Sequence, residues 1–540
     1  RALGRGAALC ASSRFASSAC AMAQDKRHFL LLAIGTRGDA QPLVIIGKRL
    51  MQDGHIVRIA VHEKHRDSVE KQGCEHYPVE GFDPEALMSN QMGDKPGVDA
   101  LSKRETYGGW YRQVCRSTWQ AATAPRKDGS PFRAEVIFSS HQQQAALPVA
   151  EALHAELFFF NTYPMTPTAE FRHPFGCFLE GRDSPETPLI NKWTYWNYDN
   201  ANHLGLSEPL KDFRLSIGLK GSLKGYKTIC QQQVVAMKVP CFCIWSPSIL
   251  PKPKDWHEDI VVCGNVDRTG GLPSLPEDLL AFIRQGEPPV FFGFGPGSMS
   301  NDEAISRSWE AAIGCIENLK CRAILHITPN FRHCITRVPE TAFLLDRPVP
   351  HSSLFELCSI SVHHGGPGTL AAALRAGIPN CIVSFVCDNP FWGDRLQNLN
   401  VGAHVPSRSV TTETLTRLVA RLQQPSVKEA CAAMQTSMLA EEDGTEVLVR
   451  QLYARLPPAA TPIKVDWNAK AHKLSPTGSP LSAKNVTCAI LLLLFRASRL
   501  YFSVDAVRYS AMAFLLVAIA LFQYYDINPI AQGAFGLGAR

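Results

Sequence analysis

Residues 361–395, SVHHGGPGTLAAALRAGIPNCIVSFVCDNPFWGDR, restrict the possible folds more than any other stretch of the chain. An apolar strand runs into a glycine turn, HHGGPGT, and then an Ala/Leu-rich helix that Gly377 and Pro379 stop. A second apolar strand, CIVSF, follows, and a polar loop, CDNPFWGDR, is expected to close the unit. This β–turn–α–β layout places the amides of a glycine turn and of a helix N-terminus at the carboxyl edge of a strand. Free N–H groups and the helix dipole then face the same point, which suits a diphosphate. The second strand carries Asp388 and Asn389 to that rim, where they can bond a polyhydroxylated ligand. His363 and His364 are neighbours on a strand and so point to opposite faces. Only one of them can meet the ligand, and joint metal chelation is not expected.

The rest of the chain reads as more of the same alternation. His28–Ile34 and Ile56–Val61 are apolar strands, with an amphipathic helix over Asp39–Asp53 between them, closed by Gly54. Helices are expected near residues 66–72, 110–122 and 142–154, and strands at 135–139 and 157–160. Val290–Gly293, a helix near Glu303–Glu317 and the strand Arg322–Ile327 restart the pattern before the glycine turn. Alternating β and α segments imply parallel sheets covered by helices. Residues 83–100 read as a loop, and 171–234 are Trp/Tyr-rich without clear periodicity. PSILPKPKDW, residues 247–256, reads as a proline-stiffened linker. A chain of 540 residues is too long for one core, so two α/β domains with extensions are expected.

Composition excludes several classes. Apolar content of 45% with 19% charged residues is ordinary for a globular protein, and a net charge of +6 is small for this length. No basic block interleaved with aromatics marks a nucleic-acid surface. The 17 cysteines include no CxxC pair, which disfavours a zinc module or a disulfide framework and favours a reducing compartment.

The motifs at these spacings resemble the UDP-glucosyltransferases, and most closely their sterol 3-beta-glucosyltransferase branch, whose usual forms are HHGGAGT, RAGIP and DQPFWG. Pro367 stands where that family has Ala, and Asn389 where it has Gln. GTRGDAQP, residues 35–42, is similar to the family's GTRGDVQP, and NTYPMTPTAEFRHPF, residues 161–175, to its TMPWTPTxxFPHPF. SSHQQQ, residues 139–144, replaces the family's NPP. The likeness covers residues 28 to about 455.

The resemblance implies a GT-B fold: two Rossmann-like domains with a cleft between them. Residues 28–240 would bind the acceptor and 241–456 the nucleotide sugar. It implies a UDP-sugar co-substrate with no cofactor or metal, and inverting transfer of a hexose, expected to be glucose, to a sterol hydroxyl. Donor contacts would come from His364, Gly365, Gly366, Gly368, Thr369, Asp388 and Asn389, with His351 near the base. Ser298, in the interrupted turn FFGFGPGSMS, would reach phosphate. Acceptor contacts would come from Met165, Thr168, His173 and Phe175. Such a reaction needs a base for the acceptor proton, and Asp39 holds the matching place. Asp39 is equally a good N-cap for the helix that follows. Two other readings stay open: a different lipid, terpenoid or polyketide acceptor, and a relative that binds nucleotide or sterol without turnover.

Both ends differ in character from the middle. Residues 1–27 form an extension, and 1–24 hold Arg, Ser and Ala without an acidic residue, which fits disorder or organelle targeting. Residues 457–484 read as a Pro/Lys/Ser tether leading to an apolar helical tail. Tyr509–Tyr525 carries no charge over 17 residues, with Arg496, Arg499 and Arg508 before it. That arrangement implies attachment to the cytoplasmic face of a membrane such as the endoplasmic reticulum.

Overall fold

In a computed structural model, the protein is described over residues 26–81, 104–175, 187–219, 229–266, 274–295, 302–458 and 461–472. The loop at 83–100, Ser298 and the apolar tail with Tyr509–Tyr525 lie outside the described residues. Among those described, no helix is long and apolar enough to cross a membrane.

Two parallel sheets organise the chain. The first has seven strands in the order β3-β2-β1-β4-β5-β6-β7: β1 (His28–Leu32), β2 (Ile56–Val61), β3 (Glu75–Pro78), β4 (Val136–Ser140), β5 (Glu156–Asn161), β6 (Cys241–Cys243) and β7 (Ile260–Val262). The second has six, in the order β10-β9-β8-β11-β12-β13: β8 (Val290–Gly293), β9 (Ala323–His326), β10 (Ala342–Leu345), β11 (Ile360–His363), β12 (Asn380–Ser384) and β13 (Gly402–Pro406). Each sheet winds outward in both directions from its first strand. The chain therefore reverses direction between β1 and β4, and again between β8 and β11. Crevices at the carboxyl ends of such strand pairs are where doubly wound sheets take ligands. The apolar runs of the sequence become strands buried on both faces, as in β4 and β12.

The helices used below are α1 (Arg37–Gln52), α2 (Arg104–Thr123), α3 (Ala146–Leu153), α4 (Pro188–Ser216), α5 (Asp302–Leu319), α6 (His351–Phe355), α7 (Pro367–Arg375), α8 (Asn389–Asn398), α9 (Gly444–Tyr453) and α10 (Trp467–His472). Four expectations need correction. The CDNPFWGDR segment is not a closing loop: α8 begins at Asn389, because a proline in the first turn starts a helix as readily as it makes a loop. The aperiodic stretch after residue 171 contains the 29-residue helix α4. The first sheet does not end at residue 240 but takes in β6 and β7.

The last correction concerns residues 457–484. They are not all tether, because 461–472 dock on the first domain. The Val465 amide bonds the His154 carbonyl, and the Trp467 indole N–H bonds the Ala155 carbonyl at 3.1 Å. Trp467 is 1% exposed. α9 also crosses to the first domain. Its Leu448, Val449 and Leu452 join the core beneath β1, Glu446 pairs with Arg49 at 2.7 Å, and the Tyr453 hydroxyl donates to Asp53 at 2.6 Å.

Candidate active site

The site is built where the two switch points face each other. Asp39 lies in the first turn of α1, which follows β1. Thr36, not Asp39, is the N-cap of α1: its hydroxyl accepts from the Gly38 N–H, and the Asp39 carboxylate accepts from the Thr36 N–H at 3.0 Å. This reciprocal pair is a capping box with Asp in the place usually held by Glu. Gly35 makes room for it, since a β-carbon there would collide with the Asp39 carboxylate. The helix N-terminus lowers the carboxyl pKa and burial raises it. Burial wins, and Asp39 is pushed up to about 6.

Asp388 comes from the other domain, just before α8. One of its oxygens accepts from the Trp392 indole N–H at 2.8 Å, and burial, with a smaller contribution from the Asp39 charge, raises it to about 7. The Asp39 and Asp388 charges each also act on Tyr163. Contacts from both domains close around it. The Phe171 and Phe391 rings meet at 5.5 Å, Trp245 and Trp392 at 6.2 Å, and Arg395 Nε donates to the Ile249 carbonyl at 2.7 Å.

The two histidines divide as their alternation requires. His363 is fully buried, and its Nδ1 accepts from the Gly365 N–H at 3.1 Å. Its Nε2 therefore carries the proton and donates to Asn380 Oδ1 at 2.9 Å. His364 lies on the opposite face, over Gly295 and Gly366, with a buried Nδ1 that has no partner among the described residues. Burial lowers its pKa to about 4, so the ring is neutral at physiological pH. Gly365 has φ of 101°, and a β-carbon there would lie 2.9 Å from Ile382, so only glycine makes this turn. Gly366 is the N-cap of α7, Pro367 opens it, and Gly368 is exposed with open space beside it. Thr369 reaches His351 Nδ1 at 3.5 Å. His351 stacks on Phe355 and sits edge-on to Phe291. The Arg37 charge, from the first turn of α1, acts on His351 and His326 across the domain boundary.

Asn389 is buried and engaged with backbone. Oriented so that its amide nitrogen faces two carbonyls, it donates to Val386 at 3.0 Å and His364 at 3.3 Å. It ties the loop before α8 to the turn before α7. In the first domain, Thr168 is fully buried and donates to Asp255 at 2.7 Å, which fixes the loop after β5 to the KPKDW segment. His173 stacks on Tyr198 at 4.1 Å, and burial holds its pKa well below the usual value. Met165 is buried, and Phe175 packs against Tyr163 at 5.0 Å. Sequence reasoning missed His141 and Tyr163. They stand 22 positions apart and are joined only by the β4–β5 pairing. Separately, Asp302, His333 and Cys334 bring ligand atoms within 4.8 Å of one another, with Asp302 and His333 exposed. None of the three belongs to the constellation above.

Comparison with known proteins fits this geometry. Residues 29–171 match the glycosyltransferase family 28 N-terminal domain, and residues 311–454 the erythromycin biosynthesis protein CIII-like C-terminal domain. The sterol 3-beta-glucosyltransferase UGT80B1 of Arabidopsis thaliana is 32% identical over 436 residues, 79% of this chain and 68% of that protein. The chain belongs to the sterol 3-beta-glucosyltransferase family. UGT80A2 of the same plant is 31% identical, and the chain spans 66% of its length. Among solved structures, the calicheamicin glycosyltransferase CalG4 aligns over 80% of this chain and all of its own, with a TM-score of 0.55 at 15% identity. The fold is therefore GT-B. The glycine turn leads into α7 in the second domain, and the Asp39 carboxylate lies in the first turn of α1 in the first domain.

The two histidines make opposite predictions. His364→Ala is expected to weaken UDP and UDP-sugar binding together by roughly 10-fold or more, through a lost bond to a charged group. His363→Ala should appear mainly as a lower melting temperature, because Asn380 and the Gly365 amide lose a buried partner. Calorimetry with UDP and thermal melts on both variants check this, and equal losses of UDP affinity would overturn the assignment of faces. Asn389→Gln is expected to shift the melting temperature as well as the donor ranking, since its amide holds two loops. Competition among UDP-glucose, UDP-xylose and UDP-galactose reads the ranking.

Proposed function

We propose that the protein transfers a hexose, glucose in the first instance, from a UDP-sugar to the hydroxyl of a sterol with inversion at the anomeric carbon. The observation that carries this reading is that Asp39 and Asp388, from opposite domains, lie near enough for one charge to act on the other and for both to act on Tyr163. Asp39 takes the acceptor proton as the hydroxyl attacks. Asp388 accepts from sugar hydroxyls. The N-terminus of α7 and His364 stabilise the diphosphate that leaves, so UDP-sugar acts as co-substrate and the step needs only protein groups. Flat apolar acceptors suit the walls contributed by Met165, Phe171 and Phe175. Release of UDP from UDP-glucose, with and without a panel of sterols, tests the reading. Sterol-independent release, or none with any sterol, would remove it.

The residues after 472 are proposed to hold the enzyme at the cytoplasmic face of a membrane, on the strength of the uncharged Tyr509–Tyr525 run behind its arginines. The full chain is expected to sediment with membranes and a chain ending after residue 472 to stay in the supernatant. Carbonate extraction separates a spanning tail, which resists, from an interfacial one, which releases. A full chain that stays in the supernatant would sink the idea.

A further inference from the structure

We infer that Asp302, His333 and Cys334 form a binding site for a zinc-class divalent cation at the carboxyl edge of the second sheet. The site lies outside the constellation described above, and the inference is independent of the proposed reaction.

The topology puts the parts together. Asp302 opens α5 on the way out of β8, and His333 and Cys334 end a short 3-10 helix, Pro329–Cys334, on the way out of β9. β8 and β9 pair in parallel, so both connections leave from one edge of the sheet. The glycine turn before α7 leaves from the same edge, after β11 on the other side of β8. His333 Nε2 lies 3.1 Å from Asp302 Oδ2, and Cys334 Sγ is 4.0 Å from the Asp302 carbonyl. One ligand atom from each of the three side chains falls within 4.8 Å of the others. The His333 ring also stacks on Phe331, with centroids 6.3 Å apart.

A tetrahedral zinc ion keeps mixed N, O and S ligand atoms roughly 3.3–3.6 Å apart, so small side-chain shifts close the trio around one. Folding alone gives these groups little reason to converge. An exposed Asp–His pair contributes little, and a thiol contact at the limit of hydrogen bonding adds hardly more. Asp302 and His333 are exposed, so an ion can enter from solvent, while Cys334 is buried. The donor set is one carboxylate oxygen, one imidazole nitrogen and one sulfur. Magnesium and calcium take oxygen ligands, whereas sulfur with imidazole suits zinc. On binding, the Cys334 thiol gives its proton to solvent and His333 binds as the neutral ring. Two negative ligands then offset the charge of the cation. Three protein ligands leave a fourth position for water, so the ion exchanges with solvent, unlike one in a closed four-ligand site. While bound, it ties the start of α5 to the connection after β9. No local pattern announces the site, because Asp302 stands 31 positions from His333.

The test uses the full chain stripped of metal by a chelator and titrated with Co2+, a spectroscopic stand-in for zinc. Wild type is expected to develop thiolate-to-cobalt charge-transfer absorption that Zn2+ abolishes by displacement and Mg2+ does not. Cys334→Ser should erase that absorption, and Asp302→Asn and His333→Phe should each weaken Co2+ binding by roughly 10-fold or more. Zn2+ should raise the melting temperature of wild type and leave that of Cys334→Ser unchanged. Asp302 and His333 are exposed, so their variants remain informative if Cys334→Ser folds poorly. Absence of the absorption in wild type would overturn the site. So would absorption that persists in Cys334→Ser, since the thiolate would then belong to another cysteine, or Co2+ affinities in Asp302→Asn and His333→Phe equal to that of wild type.

Discussion

Asp39→Asn is expected to lower sterol-dependent turnover by roughly 10²-fold or more, the contribution of a general base. UDP affinity should stay unchanged, because the proposed diphosphate site lies at the other sheet. Asn keeps the oxygen that accepts the Thr36 amide, so α1 should keep its cap. The pH profile gives an independent check. A base held near 6 makes wild-type kcat/KM rise with pH through that region and then level off. Stability should run the other way. Between the ordinary carboxyl pKa of 3.8 and about 6, the folded chain holds this proton more tightly than the unfolded chain. Raising the pH through that window therefore weakens the fold. The amide variant has no charge to bury, so it should melt no lower than wild type at pH 8. Turnover within a few-fold of wild type would reduce Asp39 to a capping residue.

Trp467→Ala is expected to cost about 3–5 kcal/mol, the range for emptying a fully buried tryptophan site. The indole fills space against α3 and bonds the Ala155 carbonyl, which the variant leaves unpaired. Denaturant melts of the catalytic unit measure the loss. A chain ending at residue 460 should suffer at least as much, since Val465 goes with the indole. A chain ending after 472 keeps both and should melt like the full chain. If all three melt alike, the docking of 461–472 contributes nothing in solution.

Much of the fold could be read because the two sheets write themselves as apolar runs. VRIAV and VIFSS have no other place to go than between layers of helices, and their spacing leaves room for one helix each. α4 gave no such signal. Its residues include WTYWNYDN and Pro209, and its apolar side chains do not gather on one face. The docking of 461–472 rests on two side chains in a setting of proline and lysine, which local composition reads as a tether. At the site, Asp388–Asn389–Pro390 carried turn chemistry that fits a loop or a helix start equally well, and only the packing of Trp392 against Asp388 decides between them. His141 and Tyr163 were silent because each is ordinary alone. Their meaning comes from a strand pairing that no local pattern encodes. The capping box was within reach of sequence reasoning, since Thr36-x-x-Asp39 sits just before an apolar period.

The return of α9 and α10 to the first sheet has a consequence for how the protein is made. β1 leaves the ribosome first, yet the core beneath it lacks Leu448, Val449 and Leu452 until almost the whole catalytic chain has been synthesised. The nascent first domain must wait, with an apolar face open, while a complete second domain is translated and folds. Such a wait exposes surface that aggregates or recruits chaperones. A premature stop between β7 and α9 should then leave no usable half-enzyme, even though the first sheet itself would be fully encoded.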